Sequence, residues 1–182
     1  MSYKKWFIVT LVLCGFGVAF GFIAPVGMMD FMLEDIDALQ DLSVILLPFQ
    51  FLTVILIWLK NATAMIFSFI LSPVLCLIPL LALLLNGWIL GFISAVVLEE
   101  ESLGFLLAGL LPHGVFELPA FFIAETAALS FGSMVVLSLF KREKRSMLVP
   151  LFRKNLKYLV VSLILLVPAA IVETYITPLL IS

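Results

Sequence analysis

The sequence predicts an all-α, polytopic membrane helix bundle, and three observations carry that prediction. Of its 182 residues, 64% are apolar and only 12% are charged, whereas a water-soluble domain needs roughly a quarter charged residues to cover its surface. The charges are also segregated. All ten basic residues lie at Lys4 and Lys5, at Lys60, and in a block of seven from Lys141 to Lys157. Five of the twelve acidic residues fall between Asp30 and Asp41, three are Glu99 to Glu101, and Glu143 sits in the basic block. Third, the stretches between these clusters are long enough to cross a bilayer, which takes about 20 apolar residues at about 1.5 Å rise each. Glu117, Glu125 and Glu173 remain, each inside an apolar stretch.

Taken in order, residues 1–29 read as the first transmembrane helix. The apolar run from Trp6 to about Met29 is too long for the core of a signal peptide and lacks a small-residue cleavage site. Gly15, Gly17 and Gly21 give this helix a small-residue face for close packing, in the same chain or in a homodimer. Residues 30–42 are acidic with apolar residues between, the pattern of a short amphipathic segment at the interface. Apolar sequence resumes at Val44 and closes at Lys60 and Asn61. Two long stretches follow, about 61–98 and 103–140, each about 57 Å as continuous helix and so about twice the hydrocarbon thickness. They must be broken, tilted beyond the membrane or folded back. Pro73, Pro79 and Asn86-Gly87 are the candidate breakers in the first, and Pro112-His113-Gly114 with Pro119 in the second. Residues 141–157 read as a basic cytoplasmic loop, and 158–182 as the last transmembrane helix. The whole chain, 1–182, is then one membrane domain of five spans, with seven the alternative of equal parity. Cys14 and Cys76 read as packing residues.

Lysine and arginine mark cytoplasmic loops. Lys4, Lys5 and the 141–157 block therefore put the N-terminus inside and the C-terminus outside a multi-pass protein of the cell membrane. Lys60 would then lie inside, and Glu99 to Glu101 outside. The basic block meets anionic headgroups, and no nucleic-acid partner is expected. LALLLNGWIL at 81–90 echoes LAGLLPHGVF at 107–116, a resemblance that either marks interrupted helices or arises by chance in a leucine-rich chain.

His113 and Glu117 are four apart and share a helix face; Glu125 lies eight further on, about 80° round. An ionised carboxylate at the bilayer centre costs at least ~2.5 kcal/mol, so this stripe should face the protein interior or a water-filled cavity. Glu173 adds a carboxylate from another helix, and Asn86 an amide. Three roles fit these residues. His113 and Glu117 have the nitrogen and oxygen donors that a divalent metal such as zinc takes. The carboxylates suit proton or ion coupling in a small transporter or channel. Alternatively, they are protonated or hydrogen-bonded pins of helix register. HGVFE lacks the second histidine and adjacent base of HExxH, so metalloprotease chemistry is a poor fit. There is no GxSxG, P-loop or CxxC pattern, and no catalytic residue is assigned.

LLLNGWILGF, LLPHGVFELPAFFIAETAALSFG and AAIVETYITP, in that order, resemble the stage II sporulation protein M family of integral membrane proteins over about residues 50–180. KNATAMIF is similar to an earlier Asn-containing segment of that family. The resemblance implies that Asn86, Gly87, His113, Gly114, Glu117 and Glu173 are the family's polar and helix-opening positions; Glu125 is not carried over by it. It further implies a non-enzymatic scaffold. In endospore formers the named member resembles a hub for membrane-anchored peptidoglycan hydrolases, although the family also occurs widely in bacteria and archaea that make no spores. Scaffold and transporter are the two expectations carried forward.

Overall fold

The structure, a computed structural model, describes residues 3–24 and 49–180, with the backbone alone at His113. Among the described residues every regular element is a helix, and five are long and apolar enough to cross a membrane. The acidic 30–42 segment and the end of the first predicted span lie outside the described residues.

Helix α1 (Tyr3–Phe22) packs most extensively on α3 (Leu77–Glu100). A Cβ on Gly17 would lie 2.5 Å from the Leu84 carbonyl oxygen, and one on Gly21 would strike the backbone of Trp88. Reciprocally, a Cβ on Gly87 would meet the Cys14 carbonyl and one on Gly91 that of Val18. Two Gly-xxx-Gly faces thus meet in register along parallel helices, bringing the backbones into contact without large side chains between them. The surface expected for a dimer through the first helix is consumed here inside the chain, at Gly17 and Gly21. Around Gly15 there is open space.

Helix α2 (Phe51–Leu71) runs straight through Lys60 and Asn61, where the sequence reading ended it. One lysine does not stop a helix whose neighbours carry the packing, because lysine is a good helix former. The reversal comes instead at residues 72–76. Pro73 cannot donate to the preceding turn, and Leu75 and Cys76 take left-handed backbone angles (φ 52° and 57°) that lead into α3. Cys76 is buried here and Cys14 is buried on α1; both are free.

The expected breaks at Gly87, Pro112 and Gly114 are not breaks. Helix α3 continues through Asn86-Gly87, because Gly87 serves the close approach to α1 rather than a turn. Helix α4 (Leu103–Phe140) is continuous over 38 residues with Pro112 and Pro119 inside it. A proline within a membrane helix is tolerated where neighbouring helices hold both halves, and α4 contacts α1, α2, α3 and α5 (Leu148–Tyr175). The excess length is taken up by extension. Gly114–Phe140 alone is long enough to span, and Leu103–Pro112 is a shorter apolar segment before it. Ser102 caps α4 by accepting from the Phe105 N–H at 3.2 Å.

The basic 141–157 block is mostly helical rather than a loop. A 3-10 turn covers Arg142–Met147, and α5 begins at Leu148, ten residues before the expected start of the last span. Pro150 is tolerated in the first turn. Arg145 Nε donates to the Ser138 carbonyl at 3.2 Å, satisfying an orphan acceptor at the end of α4. A short helix, α6 (Thr177–Leu180), ends the described chain.

The core is built of small residues. Ala120, Ala124, Ala127 and Ala128 on α4 are at most 1% exposed, which lets α2 and α5 approach closely. Polar ties cross the same seams: Trp58 Nε1 donates to the Leu163 carbonyl at 3.0 Å, and the Thr126 hydroxyl to that of Thr10 at 3.1 Å.

Candidate intramembrane polar site

Helices α2 and α4 run in the same direction and are cross-linked by two polar rungs. Asn61 Nδ2 donates to Glu117 Oε1 at 3.0 Å. Farther along both helices, the Ser68 hydroxyl donates to Glu125 Oε2 at 2.6 Å. Seven residues separate the α2 partners and eight the α4 partners, so each pair lies about two turns apart. Asn61 is about 15 Å from the start of α2, near the middle of that helix. Glu125 is only 1% exposed among the alanines of the core; Glu117 is half-buried.

Two cavities flank these rungs. The first, about 280 Å³, lies where the start of α2 meets the end of α5 and α6. Its polar lining is Thr53, Lys60, Asn61, Glu117, Glu173 and Thr174. The second, about 260 Å³, lies between α2, α3 and α4. It is mostly apolar, with Asn61, Asn86, Ser94, Glu117 and Glu125 as its polar lining. Asn61 and Glu117 line both cavities, so their hydrogen bond forms part of the wall between them.

The sequence candidates divide between these spaces. Glu117 and Glu173 come together in the first cavity; Glu117, Glu125 and Asn86 share the second, which Gly114 also lines. The Asn86 amide is turned back on its own helix, donating to the Ala82 carbonyl at 2.8 Å, so it serves no helix break. His113 is on α4 one turn before Glu117. Among the described residues no group of three or more His, Cys, Asp or Glu is placed to hold a metal; the His113 side chain is not among them. Sequence reasoning missed Lys60, Asn61, Ser68, Thr53 and Thr174. The signal for Asn61 and Ser68 was present as two polar side chains seven residues apart in an apolar run, but it was hidden once Lys60-Asn61 was read as a helix end.

Chemically, a carboxylate that lines two cavities and is held by an amide can accept a proton or bind a cation from either side. The family model described as stage II sporulation protein M matches residues 9–178. An uncharacterized protein of Methanocaldococcus jannaschii is 35% identical over 97 residues, 53% of this chain and 54% of that protein. A second uncharacterized protein of the same organism is 31% identical over 127 residues, 68% of this chain and 55% of its own length. The chain spans about half the length of these curated relatives. No solved structure matches. With the match running from within α1 to α6, this chain belongs to the stage II sporulation protein M family.

Proposed function

We propose that the chain is a small, non-enzymatic membrane transporter or channel that passes a proton or small cation by way of Glu117 and Glu125. The observation that carries this reading is the Asn61–Glu117 pair in the wall shared by two cavities. A carboxylate at this depth costs at least ~2.5 kcal/mol over an apolar residue, and a bundle needing only a register pin has hydroxyl and amide side chains for that task. Glu125, two turns on and held by Ser68, offers the next acceptor along α4. The test is reconstitution of the full chain in liposomes enclosing a pH-sensitive dye, with a potassium diffusion potential as driving force. Wild type should dissipate an imposed proton or monovalent-cation gradient, and Glu117→Gln should slow this at least ten-fold. Wild-type liposomes as tight as empty ones overturn the reading.

Family membership favours a second reading, a membrane scaffold. On that reading the acidic 30–42 segment lies outside and docks a membrane-anchored partner such as a cell-wall hydrolase, and the His113/Glu117 set is structural or holds a divalent metal such as zinc. A homodimer would have to form on a surface other than Gly17 and Gly21. Sealed liposomes, together with stoichiometric capture of a membrane-anchored hydrolase dependent on residues 30–42, would support the scaffold over the transporter.

A further inference from the structure

We propose that the first cavity binds a small zwitterionic solute, its carboxylate at Lys60 and its ammonium group at Glu117 and Glu173; this rests on reading that cavity as a solute site. The charge pattern of the lining carries the inference. A wall built for a cation alone has no use for a lysine, which would repel it. A wall built for an anion alone would not hold two carboxylates. Glu117, Glu173 and the exposed Lys60 line one space of about 280 Å³, and a solute bearing both charges complements all three. Thr53, Asn61 and Thr174 add neutral hydrogen-bonding groups to the same wall.

Size limits the solute. A water occupies about 30 Å³ of liquid volume, so the cavity corresponds to roughly nine waters. It also lies just below the pocket range of roughly 300–1,000 Å³ that serves drug-sized ligands. A short amino acid fits a space of this volume.

Depth argues against Lys60 as a mere interfacial anchor. It lies nine residues after Phe51 and eleven before Leu71, about 14 Å and 17 Å from the two helix ends. Its four-carbon stem does not carry an ammonium group over that distance to the interface. A charge held there at a cost of about 2.5–3.5 kcal/mol marks a functional position. The contrast with the second cavity sharpens the assignment. Its lining holds Glu117 and Glu125 and, among the described residues, no lysine or arginine. That chemistry takes a proton or cation, and the two cavities thereby divide a solute from a coupling ion, with Glu117 common to both.

The experiment is equilibrium binding to the detergent-purified full chain by calorimetry and thermal shift. The probes are glycine, β-alanine and 4-aminobutyrate, three zwitterions of increasing charge separation, with ethylamine and propionate as single-charge controls. At least one zwitterion should bind ten-fold or more tightly than either control. Lys60→Met should remove that preference and leave the remaining affinity equal to that for ethylamine, with an unchanged melting temperature in the absence of probe. Lys60→Arg should retain the preference, and Glu173→Gln should weaken the zwitterion and ethylamine alike. Equal binding of ethylamine and every zwitterion, persistence of the preference in Lys60→Met, or binding of no zwitterion by folded wild type overturns the proposal. Glu117-dependent proton flux without zwitterion binding would overturn this inference alone; zwitterion binding without flux would overturn the transport reading alone.

Discussion

Asn61 on α2 donates its side-chain amide to the Glu117 carboxylate on α4 at 3.0 Å, and the same two side chains line both intramembrane cavities. Each should therefore affect stability and permeation together. In a double-mutant cycle of Asn61→Ala and Glu117→Ala, each of which removes the bond, the coupling free energy should be about 0.6 kcal/mol, the mean for side-chain hydrogen bonds between membrane helices, and no more than about 1.7. Reversible unfolding in mixed micelles measures it. A coupling indistinguishable from zero would mean that the pair does not hold α2 to α4.

The glycine seam between α1 and α3 makes a sharper structural prediction. Gly21→Ala and Gly91→Ala each drive a methyl group into backbone, Trp88 and Val18 respectively, and backbone has no rotamer through which to yield. Each should cost about 1–3 kcal/mol, the usual range for overpacking. Gly15→Ala meets open space and should change stability by less than about 0.5 kcal/mol. Thermal unfolding of the three variants side by side checks the order. A Gly15 variant as unstable as the other two would show that this surface too is covered, as in a dimer.

How legible this arrangement was depends on which signal each residue gave. Spans were readable because lipid demands long apolar runs, and no later contact alters that requirement. Glu117, Glu125 and Glu173 stood out because a carboxylate in an apolar run is conspicuous. Asn61 and Lys60 were visible but misassigned, since a lysine next to an asparagine looks like a helix end when the packing that carries α2 past it is unknown. Pro112 and Gly87 failed for the converse reason. Each weakens an isolated helix, but Gly87 is required by the approach of α1, and α4 stays continuous through Pro112. The partners of the carboxylates were not readable at all. Pairing Asn61 with Glu117 and Ser68 with Glu125 needs the relative direction and register of two helices more than 50 residues apart in the chain.

Orientation has a direct test. Lys4, Lys5 and the 141–157 block predict that both lie on the cytoplasmic side, and Glu100 on the other. In a background with Cys14 and Cys76 replaced by alanine, Lys144→Cys should react with a membrane-impermeant maleimide only after the cells are opened. Glu100→Cys should react in intact cells. The reverse pattern would invert the topology and put the first cavity on the cytoplasmic side.

A divalent metal held by His113 and Glu117 has its own signature. On the scaffold reading, elemental analysis of the detergent-purified chain should find about one equivalent of zinc or a similar ion in wild type. That content should fall to background in both His113→Ala and Glu117→Gln. Folded wild type containing no metal removes the metal role and leaves Glu117 as a proton or cation acceptor. Ion retained in both variants would put the metal elsewhere.

The Ser68–Glu125 rung separates transport from simple helix pinning. Glu125 is 1% exposed and accepts from Ser68 at 2.6 Å. Glu125→Gln keeps an acceptor oxygen in nearly the same volume, so Ser68 retains its partner and stability should fall by less than about 1 kcal/mol. Glu125→Leu removes the acceptor and leaves a buried hydroxyl to find another, at a cost of about 1–3 kcal/mol. If Glu125 only pins α4 to α2, flux in liposomes will track stability and the glutamine variant will behave as wild type. If it carries a proton or cation, Glu125→Gln will lose flux at least ten-fold while its melting temperature stays near wild type. The second outcome is expected, because the glutamine keeps the hydrogen bond and removes only the capacity to ionise.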